Sequence, residues 1–309
     1  PQVGGYMYLE AAQSNSTVSM VSTLETAPNL EYSTDGVTWQ EWQHTTADGT
    51  HTFDTITLAA VGDKVYFRGD NPDGLANSGK ALSNFVLTGS VKGGGNVMSL
   101  LDKTMVLTEV PAGGFGLLFA IIGEDVEPVL LTPPSMDTIT AIGDHSCDSM
   151  YYGCTSLTSA ASTPSLTAIG DHSCAGMYAG CTSLTSVAAM PAVTTIGDHG
   201  CADMYHGCTS LTSAASMPSL TTIGEDGCGD MYEGCTSLTS AASMPSLTTI
   251  GDYGCGGMYY GCTFNMSDDG TTLNFAFPTP PVTAGETTYS TAYDVAQWMG
   301  NTNGFTNQN

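Results

Sequence analysis

Ten cysteines are the first residues of this 309-residue chain whose chemistry calls for an explanation. They stand in two columns at a 27-residue interval: Cys147, Cys174, Cys201, Cys228, Cys255, and Cys154, Cys181, Cys208, Cys235, Cys262. Thiols can bridge, bind metal or attack a substrate. On a helix Cys147 and Cys154 stand two turns apart, roughly 10 Å, too far for a disulfide. Neighbours within a column come close enough, but five is odd and leaves one thiol over. Structural zinc sites space paired ligands by about two to four residues, and six separate these cysteines. The spacing therefore predicts ten buried, reduced thiols. Each acts as a small apolar side chain that needs no hydrogen-bond partner. That state fits folding in a reducing cytosol better than secretion.

Histidine and carboxylate offer the next chemistry. His145, His172 and His199 follow an acidic residue in three copies of the interval, and Asp226 and Tyr253 take the place in the next two. Asp144-His145-Ser146 has the letters of a hydrolytic triad, but consecutive residues cannot line up in the relay. No unique nucleophile, acid pair or cofactor motif stands apart. The expectation is a non-enzymatic protein with no catalytic, cofactor-binding or metal-binding residue. The acidic column Asp144, Asp171, Asp198, Glu225, Asp252 supplies one carboxylate per copy, where calcium wants about six to eight oxygens around one point. The Thr-Ser-x-Thr-Ser motif at Thr155–Ser159 and its copies lays rows of hydroxyls along the body. It reads as turn chemistry and solvation, with glycan or ice binding as the sharper alternative.

The elements that carry these columns follow from the interval itself. Ile142, Ile169, Ile196, Ile223 and Ile250 open five copies of one 27-residue unit. A fixed period of this size marks a solenoid, whose units bury their apolar side chains against the next copy. Cys147, Met150, Tyr151 and Cys154 fall at i, i+3, i+4, i+7, one face of a helix. Asp144 is placed to cap that helix, and Gly153 to end it in a left-handed conformation. Thr158–Thr163 is the predicted strand, stopped by Pro164, and Leu157, Leu184, Leu211 and Leu238 are the predicted buried row. The fold class is thus an α/β repeat solenoid, right-handed, with a short strand and a short helix per unit.

Outside the repeats, residues 1–98 predict an all-β immunoglobulin-like sandwich. Short β-rich runs lie at Tyr6–Ala11, Thr17–Ser22, Leu30–Ser33, Val37–Trp42, Thr52–Leu58, Lys64–Arg68 and Asn84–Thr88. Val65 and Phe67 point inward and Tyr66 outward; Trp39 and Trp42 face opposite ways, one of them in the core. Residues 93–98 read as a joint. Residues 99–141 carry a joint and a degenerate capping repeat around Phe115–Ile122. Residues 142–265 are the solenoid body, and 266–309 a C-terminal cap with a loose tail from Asn301.

Charge excludes some partners. All five basic residues (Lys64, Arg68, Lys80, Lys92, Lys103) lie in the first third of a chain of formal charge −25. Such a surface repels phosphate, which argues against nucleic acid, and it suits a cationic partner, a metal ion or simple solubility in salty surroundings. No apolar run reaches 18 residues, so no membrane insertion is expected. The chain starts at Pro1, so export is not legible at that end.

The repeats resemble the BspA-type (Treponema-type) leucine-rich repeat. Met-Tyr-x-Gly-Cys-Thr-Ser-Leu-Thr-Ser stands at Met177–Ser186 and Met204–Ser213, followed by Pro and Leu-Thr-x-Ile-Gly or its near copy. The family's unit is shorter and carries Ile or Val on the strand where this chain has Ala160, Ala161 and Ser162. The first domain is similar to a β-domain found ahead of such repeats in bacterial surface proteins and bacteriophage genomes. The resemblance implies a recognition or adhesion protein on a virion, extracellular or cell surface, bound to a host or environmental surface protein or glycan. The alternative is a structural decoration or fibre subunit contacting a virion scaffold or itself. For a sugar ligand, Trp42, Tyr66 and Trp298 are the aromatic candidates for stacking.

Overall fold

The structure, a computed structural model, describes residues 5–77, 81–122 and 129–305. Its N-terminal part contains ten strands: β1 (Met7–Ala11), β2 (Ser16–Ser22), β3 (Leu30–Ser33), β4 (Gln40–Glu41), β5 (His44–Ala47), β6 (Thr50–Phe53), β7 (Ile56–Leu58), β8 (Lys64–Gly69), β9 (Ser83–Thr88) and β10 (Val91–Gly94). One antiparallel sheet runs β10-β1-β8-β3-β4; the other runs β5-β6-β2-β7, with β9 also on β2. Alternation sets their faces: Met7, Leu9, Val65 and Phe67 are buried, while Tyr8, Glu10, Tyr66 and Arg68 lie on the outer face. The sheets pack on one another through Trp42, whose ring lies 5.0 Å from both Phe53 and Phe67 and 6.1 Å from Phe85.

The glycines at 93 and 94 are no joint. They belong to β10, which pairs with β1 on one side and bonds the chain at 129–132 on the other: the Val91 and Gly93 N–H groups donate to Val129 O (3.0 Å) and Thr132 O (2.7 Å). A Cβ on Gly93 would meet the Pro134 ring at 2.7 Å. The run marks close approach of two backbones rather than slack. Phe115–Ile122 then forms a coil: Leu117, Phe119 and Ile121 N–H each donate to the next coil (Asp148, Met150 and Tyr152 O, all 2.9 Å). Residues 123–128 lie outside the described part.

Each repeat contributes one two-residue strand, and these form a parallel sheet with β11 (Glu109–Val110): β12 (Ala141–Ile142), β13 (Ala168–Ile169), β14 (Thr195–Ile196), β15 (Thr222–Ile223) and β16 (Thr249–Ile250). The strand is therefore at the Thr-x-Ile end of the unit. Thr158–Thr163, the expected strand, makes only an isolated bridge, Ser159 to Ser186. The expected helix is also absent. Residues 143–154 are a chain of turns in which alternate N–H groups leave the coil: Cys147 donates to Ser173 O (2.7 Å), Ser149 to Ala175 O (2.8 Å), Tyr151 to Met177 O (2.9 Å) and Gly153 to Ala179 O (2.9 Å). The reason is spacing. Packed α-helices stand about 8–10 Å apart, but the tyrosines of successive coils stack at 5.2–5.7 Å. At that spacing the backbone bonds between coils, and left-handed residues His145, Ser149 and Gly153 (φ +55°, +53°, +72°) carry the turns. Asp144 is accordingly not a helix cap. Its Oδ1 accepts the Asp171 N–H of the next coil (3.0 Å), and Asp171 and Asp198 repeat the contact (2.9 and 2.8 Å).

The interior is built of columns. Phe85 of the sandwich stacks on Phe119, which stacks on Tyr151, and the column continues through Tyr178, Tyr205 and Tyr232 to Tyr259. Leu157, Leu184, Leu211 and Leu238 are buried beside it, as are all ten cysteines, which are free thiols. The two cysteine columns differ. In the second, the thiol donates to a backbone carbonyl: Cys154 to Phe119 O (3.1 Å), Cys208 to Tyr178 O (3.2 Å), Cys235 to Tyr205 O (3.1 Å). A buried thiol needs no partner, but this column supplies one. Native protein should take up no alkylating label, and denatured, unreduced protein ten, as read by mass spectrometry. Cys201→Ser should cost about 1–3 kcal/mol, because it buries a new hydroxyl. Cys208→Ser should cost less, since a hydroxyl can make the same bond; equal losses in urea melts would overturn this.

Two strands, β17 (Val282–Ala284) and β18 (Thr287–Tyr289), and one helix, α1 (Ala292–Trp298), close the far end. A capping box between Thr291 and Asp294 starts the helix. Its last carbonyls replace a further coil: Gly257 N–H donates to Trp298 O (2.9 Å) and Tyr259 N–H to Met299 O (2.8 Å). The tail is not loose at its start. Asn301 is buried and its amide donates to Cys262 O (3.4 Å) and Phe264 O (3.2 Å), satisfying carbonyls of the last coil. Residues 306–309 lie outside the described part.

Candidate functional site

Aligning the five copies separates columns that never change from columns that do. Ile142, Gly143, Cys147, Met150, Tyr151, Gly153 and Cys154 have identical counterparts in all five. Four nearby columns change chemistry: His145/His172/His199/Asp226/Tyr253, Asp148/Ala175/Ala202/Gly229/Gly256, Ser149/Gly176/Asp203/Asp230/Gly257, and Tyr152/Ala179/His206/Glu233/Tyr260. All lie in the turn half of the coil, between inward-pointing cysteine, methionine and tyrosine. Tyr152, Tyr253 and Tyr260 are among the most exposed large side chains, at 52%, 71% and 62%. Exposure alone does not explain the change. Ser213, Ser237 and Ser240 are also exposed and Ser210 is half-buried, yet they keep their identity between copies. The exposed threonines stay constant for a structural reason: Thr167, Thr194, Thr221 and Thr248 each donate Oγ1 to the carbonyl one coil back, at 2.9–3.1 Å. The variable columns stack from coil to coil; Ala179, Ala202 and Gly229 are buried within them, and the other members are half-buried or exposed.

Periodicity gives this face ordered chemistry. The imidazoles of His145, His172 and His199 stack at 4.8 and 4.6 Å, nearly parallel. His199 Nδ1 lies 3.0 Å from Asp226 Oδ2, one coil on, and His206 Nδ1 lies 3.0 Å from Asp203 Oδ1. Asp230 sits among carboxylates. Partial burial and its neighbours Glu233, Asp203 and Asp226 raise its pKa, and His206 opposes the shift. Asp203 and Asp230 have φ of +55° and +49°, a region where an L side chain is strained. The equivalent positions in the second and fifth copies are Gly176 and Gly257.

The three aromatic residues singled out from the sequence do not converge. Trp42 is 1% exposed at the centre of the sandwich and donates Nε1–H to Asp54 O (2.7 Å), so it offers no face to a sugar. Tyr66 lies half-buried on the outer face of the first sheet, beside Tyr8 (5.6 Å). The same face holds Trp39 between Tyr6 and the Arg68 guanidinium. Trp298 stacks on Tyr289 at 4.6 Å, close to Gly256 at the end of the variable face. In the sequence the variable face shows as the change from His145, His172 and His199 to Asp226 and Tyr253.

Residues 144–273 match the model of the family described as BspA type leucine rich repeat region, in six copies. This stretch of the chain is therefore a BspA-type leucine-rich repeat region, built here as a repeat solenoid. The family is a non-enzymatic protein-interaction repeat, common in surface adhesion and recognition proteins. No curated protein and no solved structure matches the chain. No helix among the described residues is long and apolar enough to cross a membrane.

Proposed function

We propose that the chain is a non-enzymatic recognition protein displayed on a surface, either a bacteriophage virion appendage or a bacterial adhesin. The variable face binds a protein or glycan of a host or environmental surface. The N-terminal sandwich, immunoglobulin-like in this reading, anchors the chain and fixes the direction of the solenoid. One observation carries the proposal: the copies change charge and ring chemistry in the four variable columns, from His145 to Tyr253 and from Tyr152 through His206 and Glu233 to Tyr260, whereas the exposed changes elsewhere are small, as from Ser162 to Ala189. Repeat proteins diversify the surface that meets a partner and keep the columns that stack. The absence of Lys and Arg after Lys103 makes nucleic acid an unsuitable partner and a cationic surface a suitable one.

The test compares two variants on cell-surface and glycan arrays. Replacing Tyr152, Tyr253 and Tyr260 together by Ser should weaken binding by at least about tenfold, because aromatic anchors dominate such interfaces. Replacing Ser210, Ser213, Ser237 and Ser240 by Ala should leave it unchanged. Equal losses would move the binding surface elsewhere. No binding at all, together with concentration-dependent assembly in light scattering, would favour the structural-subunit reading.

A further inference from the structure

We propose that the third and fourth repeats hold a divalent transition-metal ion on the variable face, ligated by Asp203, His206 and Glu233. The donor atoms of these three side chains lie within 4.8 Å of one another. Zinc-like ions sit about 2.0–2.2 Å from nitrogen and oxygen ligands. Ligands of a tetrahedral ion at that distance stand about 3.4 Å apart, so the more distant donors must close by up to about 1.4 Å, and the side chains of Asp203 and His206, about half exposed at 51% and 48%, have room to turn.

Two features separate this cluster from an ordinary acidic surface. One is its composition. An imidazole beside two carboxylates favours zinc, cobalt or nickel over calcium or magnesium, which take oxygen alone. The other is its place in the repeat. The columns that hold the ligands read Ser149/Tyr152, Gly176/Ala179, Asp203/His206, Asp230/Glu233 and Gly257/Tyr260. Ligand-type residues fill both columns only where the third and fourth copies meet. There Asp203, Asp226, Asp230 and Glu233 crowd together, and no Lys or Arg follows Lys103 to neutralise them. A dication would relieve that repulsion. Three protein ligands also leave a coordination position open toward solvent, where a partner's side chain or hydroxyl could complete the site.

The proposal does not depend on the recognition reading, because the metal alone is the probe. Full-length protein stripped with chelator is titrated with zinc chloride by calorimetry and with cobalt chloride by visible absorption. One ion per chain is expected, with cobalt bands of a nitrogen–oxygen site. His206→Ala should raise the zinc Kd by at least about tenfold and remove the cobalt bands, while its thermal melt stays close to that of the parent. His199→Ala, which removes the neighbouring imidazole paired to Asp226, should leave both readouts unchanged. Calcium should not compete at equal concentration. Three results would each overturn the assignment: no stoichiometric zinc binding by the parent, equal binding by His206→Ala, or an equal loss in His199→Ala.

Discussion

Replacing Tyr232 by Phe is expected to destabilise the protein by about 1–3 kcal/mol, whereas the same change at Tyr151 should cost nothing or stabilise it. Both rings are fully buried members of one column. Their hydroxyls differ. The Tyr232 hydroxyl accepts the buried N–H of Ala215 at 2.9 Å, and Tyr178 and Tyr259 do the same for Ala161 and Ala242. Removing that oxygen strands a buried donor. The residue in the equivalent place for Tyr151, seventeen positions back, is Pro134. Proline has no N–H to give, and the Tyr151 hydroxyl is buried with no partner among the described residues. Tyr232→Ala, which also empties a site in the column, should cost about 3–5 kcal/mol. Urea melts of the three variants decide the matter. A Tyr151→Phe variant as unstable as Tyr232→Phe would mean that the hydroxyl column is solvated.

Raising the pH from 9 to 12 should unfold the protein. Burial pushes the thiols up from their ordinary value of 9.0, to about 11 for Cys262 and about 12 for Cys154, Cys208 and Cys228. The unfolded chain loses these protons near pH 9, and the folded chain keeps them. Between those values the folded state binds more protons, so stability falls as pH rises. Each thiol removes about 1.4 kcal/mol per pH unit within its window. Below pH 9 the thiols contribute no slope, because both states hold the proton. Chemical denaturation at half-unit steps of pH should show a flat plateau that breaks near pH 9. A plateau extending to pH 11 would mean that water reaches the cysteine columns.

Much of this structure could be read from residue spacing, and the failures share one physical origin. The 27-residue period, the inward cysteines, the leucine row and the alternation in β8 all follow from which side chains must avoid water. The spacing of Cys147, Met150, Tyr151 and Cys154 says the same of a coil, but it does not say how the backbone gets from one to the next. A helix bonds within itself; stacked coils at tyrosine-stacking distance bond to each other. Gly, Ser and Asp at the position of Ser149 were the available sign of left-handed turns. Strands of two residues are too short to leave a β-rich run, so Thr195–Ile196 carries less strand signal than the longer, hydroxyl-rich Thr158–Thr163. The glycines at 93 and 94 show the same limit, since crowding and slack select the same residue. The variable face does not follow from spacing, because a column that changes between copies can be tolerated or selected, and only its place on the folded coil shows which side chains it joins.

The bonding between coils has a consequence for how such a chain changes over generations. The coils from Ile142 to Thr249 repeat one backbone ladder through their turn half, and the two ends are closed by other structures, the sandwich and α1. A recombination slip that removes residues 196–222 joins Thr195 to Ile223 in a sequence the preceding coils already use. The ends would not register the loss, and the body would shorten by one strand spacing, about 4.8 Å. Length is therefore an inherited quantity that can move in single steps, up or down. Each step adds or deletes one row of four surface residues. Reach and vocabulary of the face are coupled, and both can be rewritten by the copying errors to which near-identical DNA repeats are most prone.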